Sequence, residues 1–125
     1  MKNSILIIDD EKVIRDSVAK TLTQAGYKTE TAATLLEAVE TIQSSRFDLI
    51  ICDVMIPHTG GLELVDKLKT DPQYMGIPII LMTGMDRDVL NATTISADAV
   101  ITKPFDSLQL LEEVRNQLGV LSKTE

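Results

Sequence analysis

The 125 residues are 44% hydrophobic, enough for one core of ordinary domain size and too few for two, so 1–125 is read as a single domain. With 12 Lys and Arg against 19 Asp and Glu, the formal charge is -7, which argues against unaided binding to nucleic acid or to an anionic membrane surface and favours a cation as ligand. The single cysteine, Cys52, excludes an internal disulfide.

In chain order, the first strand is predicted over Ser4 to Ile8. Its apolar run is too short for a signal peptide or a membrane span and is followed at once by Asp9-Asp10, so a cytoplasmic protein is expected. A helix follows, with Ile14, Val18, Leu22 and Ala25 at helical spacing and Gly26 closing it. The second strand covers Lys28 to Ala32. The second helix starts at a Thr34/Glu37 cap and carries the stripe Leu35, Ala38, Val39 and Ile42.

The third strand, Leu49 to Cys52, is apolar throughout, which makes Cys52 a small core residue and leaves Asp53 at its end. Leu64, Val65 and Leu68 mark the third helix. A loop then runs from Asp71 to Pro78, and the fourth strand, Ile79 to Met82, ends at Thr83. Asp86 to Ser96 is the weakest helical segment, because Asn91, Thr93, Thr94 and Ile95 are modest helix formers. The fifth strand, Ala99 to Thr102, ends at Lys103. The last helix is capped by Asp106 with Gln109 and striped by Leu108, Leu111, Val114, Leu118 and Leu121. Strands apolar on both faces, alternating with five helices, are the pattern of a parallel sheet covered on either side, hence an α/β fold. The polar tail after the last helix leaves two possibilities open, a stand-alone regulator or a piece of a longer chain.

Ligands of open parallel sheets bind beyond the carboxyl ends of the strands. Here four of five strand ends carry polar reactive groups: Asp9-Asp10, Asp53, Thr83 and Lys103. If the first and third strands are neighbours, three carboxylates converge within a few ångströms. Their mutual repulsion is relieved most simply by a hard divalent cation, with Mg²⁺ the best match to oxygen ligands. Taken singly, Asp10 reads equally well as a helix cap and Asp53 as a turn aspartate.

Together, Asp9-Asp10, Asp53-Val54-Met55-Ile56-Pro57, Gly61-Leu62, Thr83-Gly84 and Lys103-Pro104-Phe105 resemble the receiver domain of two-component response regulators, over essentially the whole chain. The resemblance implies a doubly wound, flavodoxin-like (βα)5 three-layer sandwich with sheet order 2-1-3-4-5 and a cis bond between Lys103 and Pro104. It implies that Asp53 accepts a phosphoryl group from the phosphohistidine of a histidine kinase or phosphotransfer protein, or from a small acyl phosphate. Mg²⁺ would be held by Asp10, Asp53 and the backbone carbonyl of Met55, with Asp9 acting through water. Lys103 would pair with a phosphoryl oxygen, and Thr83 would bond the phosphoryl group and switch the surface around the fourth helix, fifth strand and last helix. The implied output is a downstream effector protein or domain, met by a monomer or a weak phosphorylation-linked dimer. Such a domain is no enzyme beyond its own phosphorylation and dephosphorylation.

Three features depart from the family pattern. Val100 stands three before the lysine, where an aromatic residue is usual. The stretch from Thr83 to Lys103 is short, and His58-Thr59-Gly60-Gly61 makes a glycine-rich loop in which His58 reads as a solvated residue. Met55 and Met85 flank the expected phosphate and are apolar, which predicts slow self-dephosphorylation because neither can orient a water.

Two rival readings are weighed against this one. A haloacid-dehalogenase-like phosphatase would place its nucleophile after the first strand in an Asp-x-Asp pattern, where this chain has Asp9-Asp10-Glu11. A phosphorylation-independent interaction module with the same fold remains compatible with Val100 and the short fourth helix.

Overall fold

The computed structural model describes residues 3–53, 61–84 and 98–123. Its elements are β1 (Ser4–Ile8), α1 (Lys12–Gln24), β2 (Lys28–Ala32), α2 (Leu35–Ser44), β3 (Leu49–Asp53), α3 (Gly61–Thr70), β4 (Ile79–Thr83), β5 (Ala99–Thr102) and α4 (Ser107–Lys123). The expected helix over 86–96 lies outside the described residues, as do Val54 to Gly60 and Met85.

The five strands form one parallel sheet in the order β2-β1-β3-β4-β5. Side chains alternate across a strand, so each strand feeds two cores. Leu6, Ile8, Ile50, Cys52, Ile79 and Leu81 point to the face covered by α2 and α3, where they meet Ala38, Ile42, Leu64, Val65 and Leu68. Ile5, Ile7, Leu49, Ile51, Ile80 and Met82 point to the face covered by α1 and α4, where they meet Val18, Leu22, Leu110 and Val114. This is the doubly wound three-layer sandwich. Every residue of β3 and β4 is buried, whereas the edge strand β2 exposes Lys28 and Glu30.

Helix boundaries follow local chemistry. The Thr34 hydroxyl accepts the Glu37 N–H at 3.1 Å, and the Glu37 carboxylate reaches back to the Ala33 N–H at 2.8 Å. Asp106 and Gln109 cap α4 reciprocally, at 2.8 and 3.1 Å. Gly26 takes φ +100° after α1, a conformation only glycine adopts cheaply. Two stripe assignments need correction. Ala25 is the exposed C-cap of α1 rather than a core residue, its N–H spent on the last carbonyls. Among the described side chains of α4 the buried positions are Leu110 and Val114, flanked by the half-buried Leu111 and Leu118, while Leu108 is 63% exposed and Leu121 lies outside the described side chains. Leu108 sits in the first turn of α4, and the buried face instead runs through Leu110 and Val114 at four-residue spacing.

At the amino ends of β4 and β5, Asp98 acts as a latch. Its carboxylate accepts the Ile79 N–H at 2.7 Å and pairs with Lys69 at 2.7 Å, while its own N–H donates to the Ile79 carbonyl at 2.9 Å. Lys69 also donates to the Ile77 carbonyl at 3.0 Å, tying the end of α3 to the 71–78 loop.

Candidate functional site

Strand alternation decides which groups meet. Asp9 follows β1 in step with Ile5 and Ile7, Asp53 ends β3 in step with Leu49 and Ile51, and Lys103 follows β5 in step with Ala99 and Ile101. All three therefore fall on the α1/α4 side of the sheet. Because Ile8 pairs with Cys52, Asp9 and Asp53 are lateral neighbours. The Asp9 N–H continues the ladder to the Ala32 carbonyl at 3.1 Å, and the Lys103 N–H continues it to the Thr83 carbonyl at 2.6 Å. Thr83 is fully buried at the end of β4, one alternation away.

The lysine crosses the end of β4 to reach both acids. Its Nζ lies 3.0 Å from Asp53 Oδ2 and 3.1 Å from Asp9 Oδ2, with the side chains 20%, 5% and 0% exposed in that order. Burial alone would push the ammonium down. The hydrogen bonds to Asp53 and Asp9, and their charges, outweigh it and hold Lys103 above the ordinary lysine value. Burial raises the Asp9 carboxyl, and the Asp53 charge adds to the rise. The Glu11 N–H and Lys103 only partly offset this. The Cys52 thiol is pushed up to about 12, first by burial and then by the neighbouring Asp53 and Asp9 charges, so it stays a neutral core group.

Carboxylate oxygens of Asp9, Asp10 and Asp53 all lie within 4.8 Å of one another. With oxygen ligands at about 2.1 Å, an octahedral Mg²⁺ spaces neighbouring oxygens about 3 Å and opposite ones about 4.2 Å apart, so the three acids are close enough to be drawn onto one ion, directly or with one acting through water. Asp10 is exposed and does not cap α1. The N-cap is Glu11, whose side chain makes no capping hydrogen bond, and the Asp9 carboxylate accepts the Glu11 N–H at 2.8 Å. Met55, the expected carbonyl ligand, and His58 lie outside the described residues. The Lys103–Pro104 peptide is cis, as the resemblance implied.

Two residues near the site were missed at the level of sequence. Glu11 Oε1 stands 3.7 Å from Lys103 Nζ, and the Arg15 Nη1 donates to the Asp9 carbonyl at 2.9 Å. The run of three acids was a visible signal for the first. Nothing in one sequence pointed to the second.

Residues 5–115 match the family described as the response regulator receiver domain. The chain belongs to that family. Among curated relatives, this receiver domain is 42% identical over 120 residues to the regulatory protein VanR of Enterococcus faecium, covering 94% of the chain and 51% of the relative. It is 38% identical over 123 residues to the phosphate regulon transcriptional regulatory protein PhoB of Pseudomonas aeruginosa, covering 97% of the chain and 52% of the relative. The chain thus spans about half the length of these relatives.

Among solved structures, the chemotaxis response regulator CheY4 of Vibrio cholerae superposes with a TM-score of 0.86 at 34% identity, covering 94% of the receiver domain and all of that chain. The response regulator TrrA of Thermotoga maritima, solved in complex with Mg²⁺-BeF, gives 0.84 at 31% identity over 94% of the receiver domain and 100% of that chain.

Proposed function

We propose that this receiver domain accepts a phosphoryl group on Asp53 and relays that state to a partner. The observation that carries the reading is the ammonium of Lys103 held between Asp53 and Asp9, with Asp10 completing a group of three acids. Asp53 is the strand-end carboxylate whose oxygen attacks phosphorus. The bond from phosphorus to the donor's nitrogen, or to an acyl oxygen, breaks, and the donor leaves with that electron pair.

Asp9 and Asp10 would hold Mg²⁺ together with Asp53 and the Met55 carbonyl, Asp9 through water. The ion, when bound, neutralises charge on the transferring oxygens. Lys103 gives up part of its contact with Asp53 and pairs with a phosphoryl oxygen. The Thr83 hydroxyl donates to another, which switches the surface around β5 and α4. A histidine kinase or phosphotransfer protein is the donor class, and an effector protein or domain is the reader, with a monomer or a weak phosphorylation-linked dimer as the working unit. Positions 55 and 85 carry methionine, a side chain that cannot orient a hydrolytic water, and on that sequence ground the adduct is expected to be long-lived.

Intact mass in the presence of acetyl phosphate and Mg²⁺ tests this. The chain gains about 80 Da, and Asp53→Ala or removal of Mg²⁺ abolishes the gain. No increment with acetyl phosphate or a kinase donor would leave a phosphorylation-independent interaction module.

A further inference from the structure

The acidic turn is held from three sides. The Asp9 N–H is tied to β2 through the Ala32 carbonyl, its side chain accepts the Glu11 N–H, and its carbonyl accepts from Arg15 Nη1 at 2.9 Å. That carbonyl belongs to the rigid peptide plane joining Asp9 to Asp10. Among the described residues, the exposed Asp10 carboxylate has no hydrogen bond or ion pair of its own. Its placement therefore depends on that plane. Arg15 is half-buried in the first turn of α1, and a helical side chain there points back toward the helix start, over the turn. With three carboxylates nearby, the guanidinium bonds a neutral carbonyl and leaves the acids open to a cation.

We infer that Arg15 is a positioning residue, which orients the Asp9–Asp10 peptide so that both acids face Asp53 as a cation site. The inference rests on the proposed Mg²⁺ role of these acids, and its sign separates it from simple charge. A guanidinium near a cation site repels the ion, so removing it for charge alone tightens binding. Loss of positioning weakens it.

Calorimetric titration of MgCl2 into the folded protein decides between them. Arg15→Met weakens Mg²⁺ binding about tenfold, the low end for residues that orient ligands from behind. Arg15→Lys, which keeps a donor, recovers part of the loss. Lys12→Met makes the same charge change in the same turn at a residue whose partner is the exposed Asp16, and it binds as tightly as the parent or tighter. In metal-free protein, hydrogen exchange at the Glu11 amide accelerates in Arg15→Met by more than the change in global stability measured in urea. Equal or tighter Mg²⁺ binding by Arg15→Met, or unchanged Glu11 exchange, overturns the inference. A parent chain that binds no Mg²⁺ overturns the proposed function instead, and the exchange measurement still decides the role of Arg15.

Discussion

Replacing Lys103 with methionine keeps the length of the side chain and removes the charge that two buried carboxylates share. At an effective dielectric of about 20, each contact near 3 Å is worth roughly 5 kcal/mol before desolvation. Desolvating three ions takes back much of it, and deleting one member of a buried pair typically costs about 3–5 kcal/mol. Because the lysine side chain is 20% exposed, the low end applies, and we expect a loss of about 3 kcal/mol near neutral pH in EDTA. The loss depends on pH in a defined direction. The Asp9 carboxyl is already raised from 3.8 by burial, and without the ammonium it rises further. A carboxyl raised in the folded state adds stability below its unfolded value that is lost as pH climbs through its folded value. The gap between the variant and the parent chain therefore opens from acid toward neutral pH, and Mg²⁺ narrows it by replacing the missing cation. Urea unfolding across that range measures it. A gap under about 0.5 kcal/mol, or one that does not change with pH, would refute the reasoning.

The Cys52 thiol, held near 12 and fully buried, is ionised to only about 1 part in 10,000 at pH 8, so a thiol reagent labels it no faster than the chain opens, and urea restores full reactivity. Asp98→Ala removes the acceptor of the Ile79 N–H and the partner of Lys69 together, with an expected loss of about 1–2 kcal/mol in urea titration. Mg²⁺ raises the melting temperature of the parent chain, EDTA reverses the rise, and Asp10→Ala removes most of the response while leaving metal-free stability nearly unchanged, since Asp10 is exposed.

Much of the fold was legible because its signals are local. The all-apolar strands, the Thr34 and Asp106 caps and Gly26 each declare themselves within a few residues, and the structure places them as read. Strand-end chemistry was legible for the same reason, since Asp9, Asp53 and Lys103 fall where the hydrophobic runs stop. Less local features were not. Leu108 and Leu110 differ only in which way the first turn of α4 faces, which tertiary packing decides. The strands β3 and β4 run one residue further than their apolar runs, because Asp53 and Thr83 continue the ladder despite being polar. Arg15 was invisible because its partner is a backbone carbonyl, which any residue type provides.

The latch at Asp98 bears on the chemistry although it sits at the far end of the sheet. A four-residue edge strand has little of its own to stop it sliding against its neighbour. One step of slippage would carry Lys103 about 3.3 Å along the strand and turn its ammonium to the opposite side, away from both acids. By binding the first amide of β4 and a lysine from α3 at once, Asp98 sets the zero point from which the four residues up to Lys103 are counted.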